Sequence, residues 1–518
     1  MWFAENKSWS EYRRSLGGFS AIVCKDGSTV WAEDASGKTI ASGEAGVDDA
    51  SVIQSAIDTV EQDLSNSINE VVPKIVFTGT FDLYNKIKIR RVLHLEGGKF
   101  RIFTELGFEV FDGDPSWPNP NYIGFERMTI VGNGNDAIHL RYCTNWFLDR
   151  IRMFEVRRGL ILERTWGDAS TMIACDIRGN PDEGQGLVHV ITPSNDCTNS
   201  FTVISSTFYC ESDGRAVFKF EPQANGLPVR NLAFFDVFTE GYGDFFAGAS
   251  LRRGLFRIST CSLRGSGYLF NIDEAKELDI RITSATGNFH FGSLHYSRLQ
   301  VDGILSVKRK DVPLISIDEG GQVIISLHSL SGSVNSDVDY IKIGAPGKWY
   351  DSIVIRDALF LAGVAGRSII AFGDSGRPNG CKVVNCIFRN VNYNDAYPSC
   401  YALYYQGKQQ IVEDCEFWEL NNYEVANDLS GFIFKGIKGH ALFENSGTAT
   451  FSGDGATTQF SIAHGLVSTP TKVLVTPMTA DAAADFYVTA DDTNIYINYK
   501  SAPPSGTDNL KFSWFAEV

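Results

Sequence analysis

Long apolar runs are missing from this chain of 518 residues. No stretch approaches the roughly 18 consecutive apolar residues that carry a helix across a bilayer, so no membrane insertion is expected. The opening segment, MWFAENKSWSEYRRSLGG, has no uninterrupted apolar core of the kind a secretory leader carries. We therefore expect no signal peptide, and folding in a cytoplasm. Positive charge is in deficit as well: 46 Lys plus Arg stand against 62 Asp plus Glu, a net charge of -16. That balance disfavours duplex nucleic acid or an anionic membrane as the main partner and leaves neutral or cationic glycans open.

Local motifs for familiar chemistries are also lacking. The eight histidines, His139 and His189 among them, form no HExxH or HxH pair, and the ten cysteines form no CxxC or compact Cys/His cluster. No metal site and no cofactor are expected. The glycines of GNGNDAIHL, after Gly132, fit neither the dinucleotide fingerprint nor a phosphate loop with its lysine, and there is no Gly-x-Ser-x-Gly elbow.

What the chain does have is a register that returns about every 20 to 30 residues, as a short strand pattern followed by a turn rich in Gly, Asn or Ser. MTIVGNG from Met128, ACDIRGN from Ala174, SSTFYCE from Ser205, FFDVFTEG from Phe234, NCIFRN from Asn385 and DCEFWEL from Asp414 are examples. A rung this short cannot bury its own apolar face, so rungs must stack, and strands stacked in one sense make a parallel β-helix. Cys175, Cys261, Cys386 and Cys415 recur at one place in their rungs, which predicts buried, reduced thiols rather than disulfides.

Before the rungs, AIVC, TVWAED and TIAS read as a small meander. Asp48 and Asp49 then offer N-caps to a helix whose Val52, Ile53, Ala56, Ile57, Val60 and Leu64 form one apolar stripe. Such a helix can plug the first coil and protect its open edge. Near Gly447 the register stops, and short alternating strands between turn signals predict a β-sandwich module. The expected organisation is thus all-β: a meander or adaptor over 1–45, a right-handed single-stranded parallel β-helix over 46–447 with its capping helix, and a β-sandwich module over 448–518. The stretch 294–345 fits the register only loosely, leaving room for an insertion.

The order of aspartate-started helix (Asp48 to Leu64), short strand (Ile75 to Phe77), Gly79, and a strand ending in a glycine pair (Val92 to Gly98) resembles the pectate-lyase-like superfamily and viral tailspikes. Thr78 and Gly79 stand where members of that group often carry Pro-Gly. The C-terminal stretch is similar to a module of virus tail fibres through FSIAHGL (Phe460 to Leu466), TPTKVLVTP (Thr469 to Pro477), Asp485 to Tyr487 and FSWFA (Phe512 to Ala516). These resemblances imply a homotrimeric virion appendage, assembled in the host cytoplasm and attached to baseplate or tail through its N-terminal region, whose partner is a host-surface polysaccharide. They leave open whether it cuts that glycan or only binds it; a non-catalytic spacer and a cellular lyase or hydrolase are the alternatives.

Aligning SSTFYCES with FFDVFTEG puts Glu211 and Glu240 at one place on successive rungs. Two carboxylates so stacked would share a proton, as retaining glycoside hydrolysis requires; otherwise both simply face solvent at a turn. Asp236, read as mid-strand and outward, could replace one partner. Tyr209, Tyr242 and Trp166 are candidates to stack on sugar rings, with Asp213, Asp244 and Arg215 as further substrate contacts. Phe238 is either a further stacking ring or interior filler. A β-elimination route would instead use Arg215, Arg252 or Arg253 as base, with calcium at Asp213 or Asp244; no DxDxDG loop supports it.

Overall fold

The computed structural model describes residues 18–63, 72–90, 92–110, 122–165, 170–192, 198–222, 228–332, 334–335, 337–360, 367–373, 380–389, 400–406, 409–420 and 423–518. It divides into two compact units, Met1–Arg309 with Leu314–Ile317, and Lys310–Pro313 with Asp318–Val518. The architecture is a right-handed parallel β-helix followed by a β module.

In the first unit the chain passes in turn through three parallel sheets. The first sheet stacks Ile87–Ile89, Leu106–Val110, Asp136–Arg141, Leu160–Glu163, Gly186–Thr192 and Ala216–Pro222. The second stacks Ile123–Glu126, Trp146–Asp149, Ser170–Ile173, Asn199–Ile204 and Val229–Phe235. The third stacks Thr129–Val131, Arg152–Val156, Asp176–Gly179, Thr207–Cys210 and Phe238–Thr239. Later coils run the three together in long bent strands, Asp244–Ser262 and Tyr268–Thr286. The loosely patterned stretch after 294 keeps the same pairing at its start, with Arg298–Ser306 beside Tyr268–Thr286.

Alternation decides what each strand buries. On the first sheet Phe218, Phe246 and Phe270 sit in successive register and face inward, each fully buried. Their rings stack at 5.3 and 4.8 Å between centroids and meet Phe234 and Phe256 from the second sheet edge-on at 5.0 Å. Between the second and third sheets each coil turns on one left-handed residue: Arg127, Arg150, Ala174, Ser205 and Asp236 all have φ between 46° and 53°. The next residue points inward and is buried, as Met128, Ile151, Cys175, Ser206 and Val237. Cys175, Cys386 and Cys415 occupy this place, whereas Cys261 lies opposite Thr239, two positions further along the third sheet. Cys175, Cys261, Cys386 and Cys415 are all buried and free, and burial pushes the Cys175 thiol up to about 12.

The meander (Ala21–Asp26, Thr29–Asp34, Thr39–Glu44) is antiparallel, and its first strand also pairs in parallel with Lys74–Leu83. Helix α1 (Asp49–Asp63) buries Val52, Ile53, Ala56, Ile57 and Val60; Leu64 lies outside the described residues. The carboxylates of Asp48 and Asp49 turn back to the meander and first coil. Asp48 accepts from the Glu44 amide at 2.8 Å, and Asp49 from the Asp82 amide and Lys25, both at 2.6 Å. The glycine pair bends the strand Leu93–Ile102: Gly97 has φ 83°, and a Cβ there would meet the Phe77 carbonyl oxygen at 2.8 Å.

The second unit continues with three parallel stacks. Its third-sheet rings Phe360, Phe388 and Phe417 stack in step with nearly parallel planes, 4.8 and 4.7 Å apart. The C-terminal module pairs Glu444–Gly453 and Lys472–Pro477 with Gly506–Glu517, and Gln459–Ala463 and Phe486–Ala490 with Asn494–Tyr499. Both sheets contribute to one core of Phe460, Ile462, Ile495, Ile497, Phe512 and Trp514.

Candidate functional site

The pairing register separates the residues that the rung alignment had stacked. Thr207 lies opposite Phe238 and Phe208 opposite Thr239, so the residue beside Glu240 is Tyr209, and Glu211 falls two positions further on. Glu211 is exposed, its amide donating to the Gly179 carbonyl at 3.0 Å. Glu240 is ion-paired with Arg264, which also lies 6.0 Å over the Tyr209 ring. Asp236 is the left-handed turn residue of its coil rather than mid-strand, a conformation Asp tolerates better than most side chains. Its carboxylate accepts from the hydroxyls of Ser205 and Ser259 on the flanking coils.

The other candidates hold turns together. Asp213 accepts from the Ser266 amide at 2.7 Å, close over Gly265, where a Cβ would clash with its carboxylate. Arg215 donates to the carbonyls of Pro181 and Asp213 at 2.9 and 2.7 Å. Asp244, pushed up by burial, accepts from the Tyr268 amide at 2.7 Å and Asn271 at 2.9 Å. Tyr209, Tyr242 and Phe238 are half-buried, Phe238 facing outward beside buried Thr239. Trp166 lies outside the described residues. Asp244 belongs to the first sheet and Glu240 to the end of the third, so these residues do not converge on one point.

A different group does converge. On the outer face of the first sheet, over its early coils, a cleft of about 850 Å³ opens. Its floor is an ordered charge network. Buried Asp136 is gripped by two guanidinium forks, Arg157 through Nε and Nη2 at 3.0 and 2.7 Å, and Arg158 at 3.0 and 2.6 Å. One coil on, Glu163 accepts from Arg141 Nε at 2.9 Å and lies 3.0 Å from His139 Nε2. Beside them Lys86 pairs with Glu109 at 2.7 Å. Further along the sheet, His189 is buried against Glu221 at 2.7 Å, and that burial lowers its pKa.

Electrostatics defines what this floor can do. Burial pushes Asp136 up, but the two guanidinia outweigh it and hold the carboxyl below its usual range. Glu163 is likewise held low, by His139 first and Arg141 after, against the opposing effect of burial. Glycoside hydrolysis needs one carboxyl kept protonated beside an ionised one. Asp136 and Glu163 are both kept ionised, so they order the cleft rather than donate a proton.

The cleft residues carry no motif. Asp136 follows GNGN, and Arg157 with Arg158 precede Gly159; the signal was their separation by about one coil, which places an Asp beside two Arg on the same sheet edge. On the second sheet, His94, Glu96 and Glu126 bring ligand-type atoms within 4.8 Å of one another. Lys74 and Arg127 already contact Glu96, and Arg127 and Arg150 contact Glu126, so the carboxylates are neutralised from within the chain and the set is a poor cation site.

No family model matches the chain, and no curated protein does. Among solved structures it is similar to the tailspike protein of E. coli bacteriophage HK620, at 13% identity over 94% of this chain and 92% of that one with a TM-score of 0.40. It is also similar to the tailspike of Pseudomonas phage phi297 (9% identity, 90% and 92% covered, TM-score 0.42). A third is PfbA, a surface adhesin of Streptococcus pneumoniae (14% identity, 67% and 88% covered, TM-score 0.40).

Proposed function

We propose that this chain is a tailspike-like virion protein that binds a host-surface polysaccharide in the cleft on the first sheet. The observation that carries the reading is that cleft: concave, large enough for several sugar rings, and floored by polar groups fixed in place before any ligand arrives. Neighbouring coils advance by one strand spacing, roughly 4.8 Å, which is close to the length of one sugar residue. A glycan lying across successive coils therefore meets a new row of side chains at each ring.

Charge narrows the ligand. Lys86, Lys88, Arg141, Arg157 and Arg158 line the cleft against Glu105, Asp136 and Glu163, with Glu109 beside Lys86. The local balance is cationic although the whole chain carries -16, and at physiological salt charges act over only about 8 Å. An acidic saccharide is the better fit, contrary to what net charge alone suggests. Assembly as a homotrimer and attachment through the N-terminal region belong to the same reading and rest on the resemblance of the 448–518 module to tail-fibre modules.

Binding is the form the cleft itself supports, because its two central carboxylates are engaged by Arg157, Arg158, Arg141 and His139. A hydrolytic form would use Glu211, Glu240 or Asp236, away from this floor. The test is binding and product release on purified bacterial surface polysaccharides, comparing the intact protein with Lys88→Gln, Arg157→Gln, Glu211→Gln, Glu240→Gln and Asp236→Asn. Weakened binding in the first two, with no product from any protein, is the expected result. Product lost on changing Glu211, Glu240 or Asp236 would make the chain a depolymerase, and binding untouched by Lys88→Gln and Arg157→Gln would remove the cleft from the account.

A further inference from the structure

Two aromatic rings stand exposed at one edge of the cleft. Tyr84 is 55% and Phe103 44% exposed, and they stack on each other at 4.9 Å between centroids with 13° between planes. They are equivalent residues of the first two coils: Leu83 pairs with Ile102, and each ring is the next residue along. The Phe103 amide donates to the Leu83 carbonyl at 2.8 Å, which fixes the step between them. The chain then runs directly into the cleft wall, through Asn85 and Lys86 after Tyr84, and Thr104 and Glu105 after Phe103.

Elsewhere along this unit many large rings, Phe218, Phe246 and Phe270 among them, are turned inward and stacked in the core, while Phe235 and Tyr296 are exposed. Here two remain in water, although burying such a ring would contribute about 2 to 3 kcal/mol. The row stops at the next coil, where Gly132 follows the third-sheet strand and the Asn133 side chain donates to the Ile102 carbonyl. The stacked pair therefore lies on the coils whose following residues line the cleft.

We propose that Tyr84 and Phe103 form a stacking subsite for one pyranose ring of the glycan, continuous with the cleft and setting which end of the chain lies there. A pyranose offers a face of C–H groups that matches a flat apolar ring, while its hydroxyls stay free for the polar wall. Lys88 lies next to the platform, beside Lys86 with its partner Glu109, and meets an acidic substituent on the following sugar. The subsite accordingly takes an uncharged ring linked to an acidic one. This inference rests on the polysaccharide-binding reading above.

The experiment is a titration of the intact protein with oligosaccharides released from purified bacterial capsular and O-chain polysaccharides, acidic and neutral, taking the tightest binder as probe. Tyr84→Ala and Phe103→Ala should each weaken binding by about three- to tenfold, while Tyr84→Phe keeps the affinity within about twofold because the ring face remains. Thermal midpoints of all variants should match the parent, since both rings are largely in solvent. Unchanged affinity in both alanine variants, with Lys88→Gln still weakening binding, overturns the subsite and leaves the cleft intact. No binding of any oligosaccharide to the intact protein overturns both.

Discussion

Asp136 illustrates how much can rest on one side chain. It is buried, and its carboxylate neutralises two adjacent arginines whose charges would otherwise repel each other. Asp136→Ala should lower unfolding free energy by about 2 to 4 kcal/mol, the lower figure reflecting the partial exposure of Arg157. Denaturant titration of the variant checks it. The acid limb has a definite sign. His189 is held neutral by burial, so below about pH 6.5 the unfolded chain takes up its proton first and stability falls with pH. Asp136 and Glu163, held low in the fold, add stability that is present above about pH 4 and lost as pH falls further. Midpoints measured from pH 8 to 2 should decline in two stages, and His189→Gln should lessen the first, to which His94 and His440, also held low by burial, contribute. A first stage unchanged by that substitution would sink the assignment. Asp236 makes a sharper contrast, because its place is set by backbone rather than chemistry. At φ 53° Asp236→Asn should leave stability nearly unchanged, whereas Asp236→Val should cost about 1 to 2 kcal/mol.

At the scale of the coil, the fold was legible because its constraints repeat. In the early coils one buried residue follows one left-handed residue at the turn between the second and third sheets, and that is where cysteine, methionine and valine recur. The phenylalanines at 218, 246 and 270 face inward by the alternation of their strands. Register in detail was not legible. Turn lengths differ from coil to coil, and an alignment by residue type slid by two positions between Thr207–Cys210 and Phe238–Thr239, placing Glu211 where Tyr209 belongs. The cleft was hidden for a related reason: its members come from successive coils, so no window of sequence contains Asp136 together with Arg157 and Arg158. Stacked rings also make the stability of a coil depend on its neighbours. Phe246 touches rings from three coils, with centroids 4.2 to 5.3 Å away. Phe246→Ala should therefore cost about 3 to 5 kcal/mol and Phe246→Leu less than half of that, read from denaturant midpoints. A loss below about 1 kcal/mol for the alanine variant would mean that the neighbouring coils close the gap.

Across the whole molecule, charge acts on two length scales. The net charge of -16 is felt at a distance, while the lysines and arginines of the cleft are felt only close by. At about 0.01 M salt the screening length is roughly 30 Å, and an approaching acidic oligosaccharide meets the repulsion of the entire chain. Near physiological ionic strength that length shrinks to about 8 Å, leaving mainly the attraction of the cleft. The association rate for an acidic oligosaccharide should thus rise on going from low to physiological salt. Affinity should then fall as salt approaches about 1 M, where even neighbouring charges are screened. A neutral oligosaccharide should show neither change. Lys88→Gln should remove part of the high-salt fall and leave the low-salt rise, because it alters the cleft while barely changing the total. Stopped-flow rates and equilibrium titrations across that range separate the two effects. A rate that falls from the lowest salt onward would mean that the cleft's field outweighs that of the chain, and a flat response to an acidic ligand would place its binding somewhere other than among these cations.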